Sequence, residues 1–199
     1  MKHAKSKQPP STLYPTDWGT YLYDSHLTLA LTPPHAGWID LVLIGTPRGA
    51  CTVISCSNVF DPLPDLVKWL HEIAASRLPA EMEVDEEGCS AFLQAHAVPG
   101  RPDWIELRIE RESARDESRE MLFHSRVERK QMVREFCRRW EEWGREEYLA
   151  SQWNGHGVGE PPDDGDASDD PRKISIGALR SFADVARRDG RGKGKSASL

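Results

Sequence analysis

This chain lacks most of what would betray an activity. Of its 199 residues only Cys51, Cys56, Cys89 and Cys137 carry a thiol, scattered and each inside an expected element. That argues against a disulfide framework and for free thiols in a reducing cytoplasm. Cys51 and Cys56 stand five apart, which sends strand side chains to opposite faces, and no second cysteine pair completes a zinc knuckle. No apolar run is long enough to cross a bilayer. Residues 1–10 are basic and polar with no apolar h-region behind them, so no secretory leader is expected. A nucleophile elbow G-x-S-x-G, a phosphate loop G-x-x-x-x-G-K-[ST] and a dinucleotide G-x-G-x-x-G before a helix are all missing. Gly155, Gly157 and Gly159 have the glycines but open a linker. No catalytic, cofactor-binding or metal-ligating residue is therefore assigned, and an enzyme is not expected.

Apolar residues are also scarce, at 38% against about 45–50% for a globular chain counted on a similar set. The deficit is local. All seven tryptophans lie between Trp18 and Trp153, and disordered chains are poor in aromatics, so that span is the folded part. Net charge is −6. An acidic block at residues 160–170 and a basic block at 172–195 cancel, which leaves the −6 on residues 1–159. An acidic domain does not suit a broad nucleic-acid face. The basic end, with Lys193 and Lys195, could make only weak, non-specific contacts with a phosphate backbone.

What is present is periodicity. In residues 128–148, Met132, Val133, Phe136, Cys137, Trp140 and Trp143 recur at three- and four-residue steps among charged neighbours, the pattern of a helix covering a broad apolar surface. A second such helix starts at Asp61-Pro62, with a side-chain acceptor ahead of a first-turn proline, and stacks Leu63, Leu66, Val67, Leu70 and Ile73 on one face. Strands read at 26–31, at 38–44 (nearly all apolar, as in a central strand covered on both faces), at 50–57 and at 82–86. Three more read at 89–98, 104–111 and 121–127, with Ile105, Leu107 and Ile109 alternating against Glu106, Arg108 and Glu110. Thr46-Pro47-Arg48-Gly49 and Glu86-Glu87-Gly88 have turn chemistry.

The expected fold class is α+β: a mainly antiparallel sheet of about seven strands, in the order β-β-β-α-β-β-β-β-α, with two amphipathic helices on one face and a disordered tail behind. The divisions are an N-terminal arm at 1–20, a single domain at 21–153, an acidic Gly/Pro/Asp linker at 154–173 and a basic tail at 174–199. Within that tail Ile176, Leu179, Phe182, Ala183 and Ala186 are spaced for a short amphipathic helix.

Three motifs carry a resemblance. Val59-Phe60-Asp61-Pro62-Leu63, continuing to Trp69-Leu70, then Asp85-Glu86-Glu87-Gly88, then a last strand running through Val127 into the aromatic helix, resemble a group of small uncharacterised bacterial proteins. That group shares a V/F-D-P-L-x-x-L-x-x-W-L helix and a D-E-E-G turn. The likeness spans about residues 26–153 and implies one domain; it brings no catalytic residue.

Four constellations bear on function. Asp85-Glu86-Glu87 has adjacent carboxylates, as acid–base chemistry requires, but reads as a solvated hairpin turn. His96 and His124 lie on strands that could be neighbours, and with nearby carboxylates they define the weakest reading, a small hydrolase. Trp69 is offset from the main stripe of its helix and is a candidate anchor for a partner. Ile176, Leu179 and Phe182, on a helix-prone peptide behind a flexible linker, suit binding in a partner's groove; docking back on their own domain is the alternative. The leading expectation is a non-enzymatic cytoplasmic protein-binding domain, immunity- or antitoxin-like, presenting an acidic surface to a protein partner. An adaptor acting through residues 175–188 is the other reading, with no membrane partner in either.

Overall fold

The computed structural model of the chain describes residues 23–24, 27–45, 51–146, 150–153 and 170–192. The N-terminal arm with Trp18, the expected turn at 46–49 and residues 154–169 of the linker lie outside them.

The fold is α+β, built on two sheets. The smaller is an antiparallel meander of β2 (Thr28–Leu31), β3 (Trp38–Ile44) and β4 (Cys51–Ser57). In the larger, β5 (Ala80–Asp85), β6 (Cys89–Val98), β7 (Arg101–Ser113) and β8 (Arg119–Glu128) run antiparallel. A two-residue strand, β1 (Tyr23–Asp24), lies parallel to β8 at one edge, so the order is β1-β8-β7-β6-β5. The expected single sheet is thus corrected. Strand existence and short turns were readable locally; the interruption between β4 and β5, filled by helix α1 (Leu63–Ala74), lets the chain start a second sheet.

Strand β3 is also corrected. It is central in its sheet, but Ile39, Leu41 and Leu43 face the core while Val42 is half-buried and Ile44 exposed. Only one face is fully covered. Its outward apolar residues, the aromatic Trp38 and the β-branched Val42 and Ile44, suit a pleated surface whether or not it is buried.

Helix α2 (Arg129–Trp143) is the centre of the molecule. It packs against β2 of one sheet, β7 and β8 of the other, and helix α1. Met132, Val133, Phe136, Cys137, Trp140 and Trp143 are all buried, as their spacing predicts. Phe136 and Trp140 stack tilted at 5.3 Å, and Trp140 meets Trp143 edge-on at 5.4 Å, both favourable aromatic geometries. Two polar side chains set its position. Gln131 donates to the Leu27 carbonyl at 3.0 Å. Arg129 reaches the last carbonyls of α1, Ile73 at 3.4 Å and Ala74 at 3.3 Å, and the Ser76 hydroxyl. A cation at a helix C-terminus satisfies orphan carbonyls and complements the dipole. At the other end of α1, Asp61 accepts the Leu63 N–H at 3.1 Å, but the N-cap is Pro62, one residue later than the Asp-Pro signature predicts, with no side-chain cap.

The C-terminal segment is not a separate tail over its described part. Asp170 caps a short 3-10 turn, Pro171–Lys173, and α4 (Gly177–Gly192) follows. The latter packs on α1 and α2. Leu179 is fully buried and Trp153, in the short helix α3 (Ala150–Trp153), joins the same core cluster. The amphipathic face read from the sequence is real; its occupant is the chain's own domain.

Candidate functional site

The acidic turn after β5 is the largest departure from expectation. Within Asp85-Glu86-Glu87 the solvated reading fails for Glu86, whose side chain is 4% exposed, while Glu87 and Gly88 are exposed. Glu87 and Gly88 both take positive φ, 54° and 128°, the primed hairpin geometry that matches strand twist. This tight turn carries the Glu86 carboxylate to the smaller sheet. There it accepts the Ser55 N–H at 2.8 Å, and Arg111 of β7 grips it twice, Nε at 2.7 Å and Nη2 at 2.9 Å. Arg111 also donates to the Val53 carbonyl at 2.9 Å. Ser55 Oγ donates to Asp40 at 2.8 Å, and Ser57 Oγ to Glu87. The Glu86 hydrogen bonds hold the Arg111 guanidinium above its ordinary pKa. Glu86 and Glu87 therefore clamp one sheet to the other, while Asp85 accepts the Glu87 N–H within the turn.

The outer face of the large sheet brings the two histidines into one row. His96 on β6 stands opposite Glu106 on β7, and Glu106 Oε1 lies 2.8 Å from His124 Nε2 on β8. Arg108 Nε donates to the same carboxylate at 2.8 Å. His96 Nε2 is buried without a hydrogen-bond partner among the described residues. Burial would raise the Glu106 pKa, but the hydrogen bonds from Arg108 and His124 outweigh it and the pKa falls below the ordinary 4.5. A carboxylate with a depressed folded pKa contributes stability above its unfolded pKa, lost as pH falls through the folded value. Glu106→Gln should therefore flatten the decline of the urea midpoint on acidification below about pH 4.5; an unchanged acid slope would contradict it. Among the described residues no group of three His, Cys, Asp or Glu side chains is placed to hold a metal ion.

Cys51 is exposed and Cys56 buried, on opposite faces as their spacing requires. Its apolar surroundings push the Cys56 thiol up to about 12, with Glu86, Asp40 and Asp61 adding to the rise. Such a thiol is inert.

A groove of about 300 Å³ opens between α1 and the edge strand β5. Asp65, Lys68, Trp69 and Glu72 line it from the helix at i, i+3, i+4 and i+7, and Glu81, Met82 and Glu83 from the strand. Trp69 is not an exposed residue off the helix stripe. It is 3% exposed, with its indole N–H donated to the Ala80 carbonyl at 3.0 Å, and it forms an apolar wall of the groove. Four carboxylates face one ammonium. Glu72 is engaged by Arg77 (Nη2 at 2.9 Å), whereas Asp65, Glu81 and Glu83 form no ion pair among the described residues. Just ahead of α1, Val59 and Phe60 are 66% and 52% exposed.

Of the side chains selected from sequence, Trp69 lines this groove and Leu179 is buried elsewhere, between α4 and its neighbours. Ile176 and Phe182 are half-buried against the core, with the Arg129 guanidinium 5.6 Å from the Phe182 ring. The groove residues Asp65, Glu81 and Glu83 were missed. The available signal was Glu81 and Glu83 alternating with Met82 and Val84 on a short strand, but nothing local marks such a strand as an edge. No protein-family model, no curated protein and no solved structure matches this chain.

Proposed function

We propose that the chain is a non-enzymatic cytoplasmic protein-binding domain that presents an acidic surface to a basic protein partner, in the manner of immunity or antitoxin proteins. The observation that carries this reading is the α1–β5 groove, where Asp65, Glu81 and Glu83 stand outside any ion pair among the described residues, beside the apolar Trp69 and Met82. Complementary charge speeds encounter and selects the partner, and an apolar centre supplies affinity. Val59 and Phe60, exposed at the start of α1, add an aromatic anchor of the kind that interfaces concentrate. The described thiols are all free, in keeping with a reducing compartment.

Capture from native-cell lysate tests it, with the wild-type chain beside Asp65→Lys/Glu81→Lys and beside Phe60→Ser. The expected result is a basic protein held by the wild type, released by high salt, and recovered at about a tenth of the amount by either variant. A partner retained equally by all three, in any salt, would end the reading. The adaptor reading, with residues 175–188 in a partner's groove, now requires α4 to leave α1 and α2 first.

A further inference from the structure

The partner surface can be specified further, resting on the protein-binding reading above. Strand β5 is the last in its sheet. The Glu86 N–H donates to the Cys89 carbonyl at 2.8 Å across the turn, which makes that pair a hydrogen-bonded one. In an antiparallel ladder such pairs alternate, so Met82 and Val84 direct their backbone groups toward β6. Those of Glu81 and Glu83 point away from it, into the groove. Among the described residues nothing meets them. The free stretch is bounded on one side by Pro79, which has no N–H to donate, and on the other by Glu86 clamped to β4. The unpaired edge is therefore about three residues long, roughly 10 Å.

We propose that this edge binds an extended basic peptide of a partner protein by strand addition, with a Lys/Arg–apolar–Lys/Arg pattern. The backbone of the peptide would bond to the outward N–H and C=O groups of Glu81 and Glu83. Residues directly opposite one another on paired strands share a face, about 5 Å apart. Basic side chains opposite Glu81 and Glu83 therefore meet carboxylates. The residue between them, opposite Met82, turns to the other face, toward Trp69 and α1. Asp65 and Glu72 on the helix reinforce selection for positive charge. The groove is at the small end of the range for ligand sites, which matches a short motif rather than a folded surface. Exposed edges are usually blunted by lysines or covered; here the flanking charge is acidic and a helix stands beside the edge, forming a slot with one open side.

The probe is a short labelled peptide of alternating Lys and Val, titrated into the full chain and followed by anisotropy and by amide exchange of β5. Its controls are a Glu–Val peptide and a Lys–Val peptide N-methylated on the pairing edge. Saturable binding is expected, with slowed exchange at Glu81 and Glu83. Affinity should fall about tenfold in Glu81→Lys/Glu83→Lys and be lost on N-methylation. Both substituted residues are exposed, and an unchanged urea midpoint checks that the variant is folded. Equal binding of the N-methylated peptide would overturn strand addition and leave the acidic-surface reading standing. No binding of the Lys–Val peptide would likewise overturn this proposal. Failure of the broader reading shows separately, in the lysate comparison, as capture indifferent to charge.

Discussion

Arg111→Ala lowers the free energy of unfolding by about 3–5 kcal/mol, the cost of leaving a buried charge without its partner. The Glu86 carboxylate then keeps only the Ser55 N–H and the Cys89 thiol as donors, at 2.8 and 3.6 Å, in a site 4% open to water. Glu86→Ala costs somewhat less, about 2–4 kcal/mol. It removes the buried charge itself and strands a guanidinium that is already 33% exposed and can hydrate. It also orphans the Ser55 N–H. Urea titrations of both variants at neutral pH check this. Midpoints within error of the wild type would show that the two sheets hold together without the clamp.

Leu179→Ala should cost about 2–5 kcal/mol as a fully buried leucine truncated to leave a cavity, but with a ceiling. If helix α4 undocks while the rest of the domain stays folded, the global loss cannot exceed the free energy that docks it. Opposing docking is the chain-entropy cost of joining Trp153 to Asp170 through 16 residues, about 2.5 kcal/mol. Favouring it are the burial of Leu179 and Ala183, Arg180 Nη2 at 3.1 Å from Glu141, and Arg172 Nη1 donating to the Glu146 carbonyl at 2.8 Å. If the ceiling is reached, limited proteolysis cuts the variant within 154–192 while the fragment up to Trp153 stays folded. A wild-type midpoint with wild-type protease resistance would mean that α4 contributes nothing to the fold. The measurement also bears on the tail peptide as a ligand, since Leu179 is available to a partner only after undocking.

The sequence alone determined the elements. Period-two and helical patterning located strands β2 to β8, α1 and α2, but not β1, because burial on one face imposes a repeat that is written locally. Asp61-Pro62 marked the start of α1, and residues 86–88 marked the hairpin, since capping and positive φ are chemistry of neighbours. The amphipathic face around Leu179 was also readable. Only the tertiary structure decided what those faces meet: two sheets rather than one, α4 on its own domain, and β5 at an edge. Glu86 shows the reason most plainly. In sequence it is one carboxylate of three on a polar turn. Its role depends on Ser55 and Arg111, which lie 31 and 25 positions away and become its partners only when β4 and β7 arrive there. The α1–β5 groove has the same origin, because an edge is defined by the strand that is missing beside it, and no local pattern records an absence.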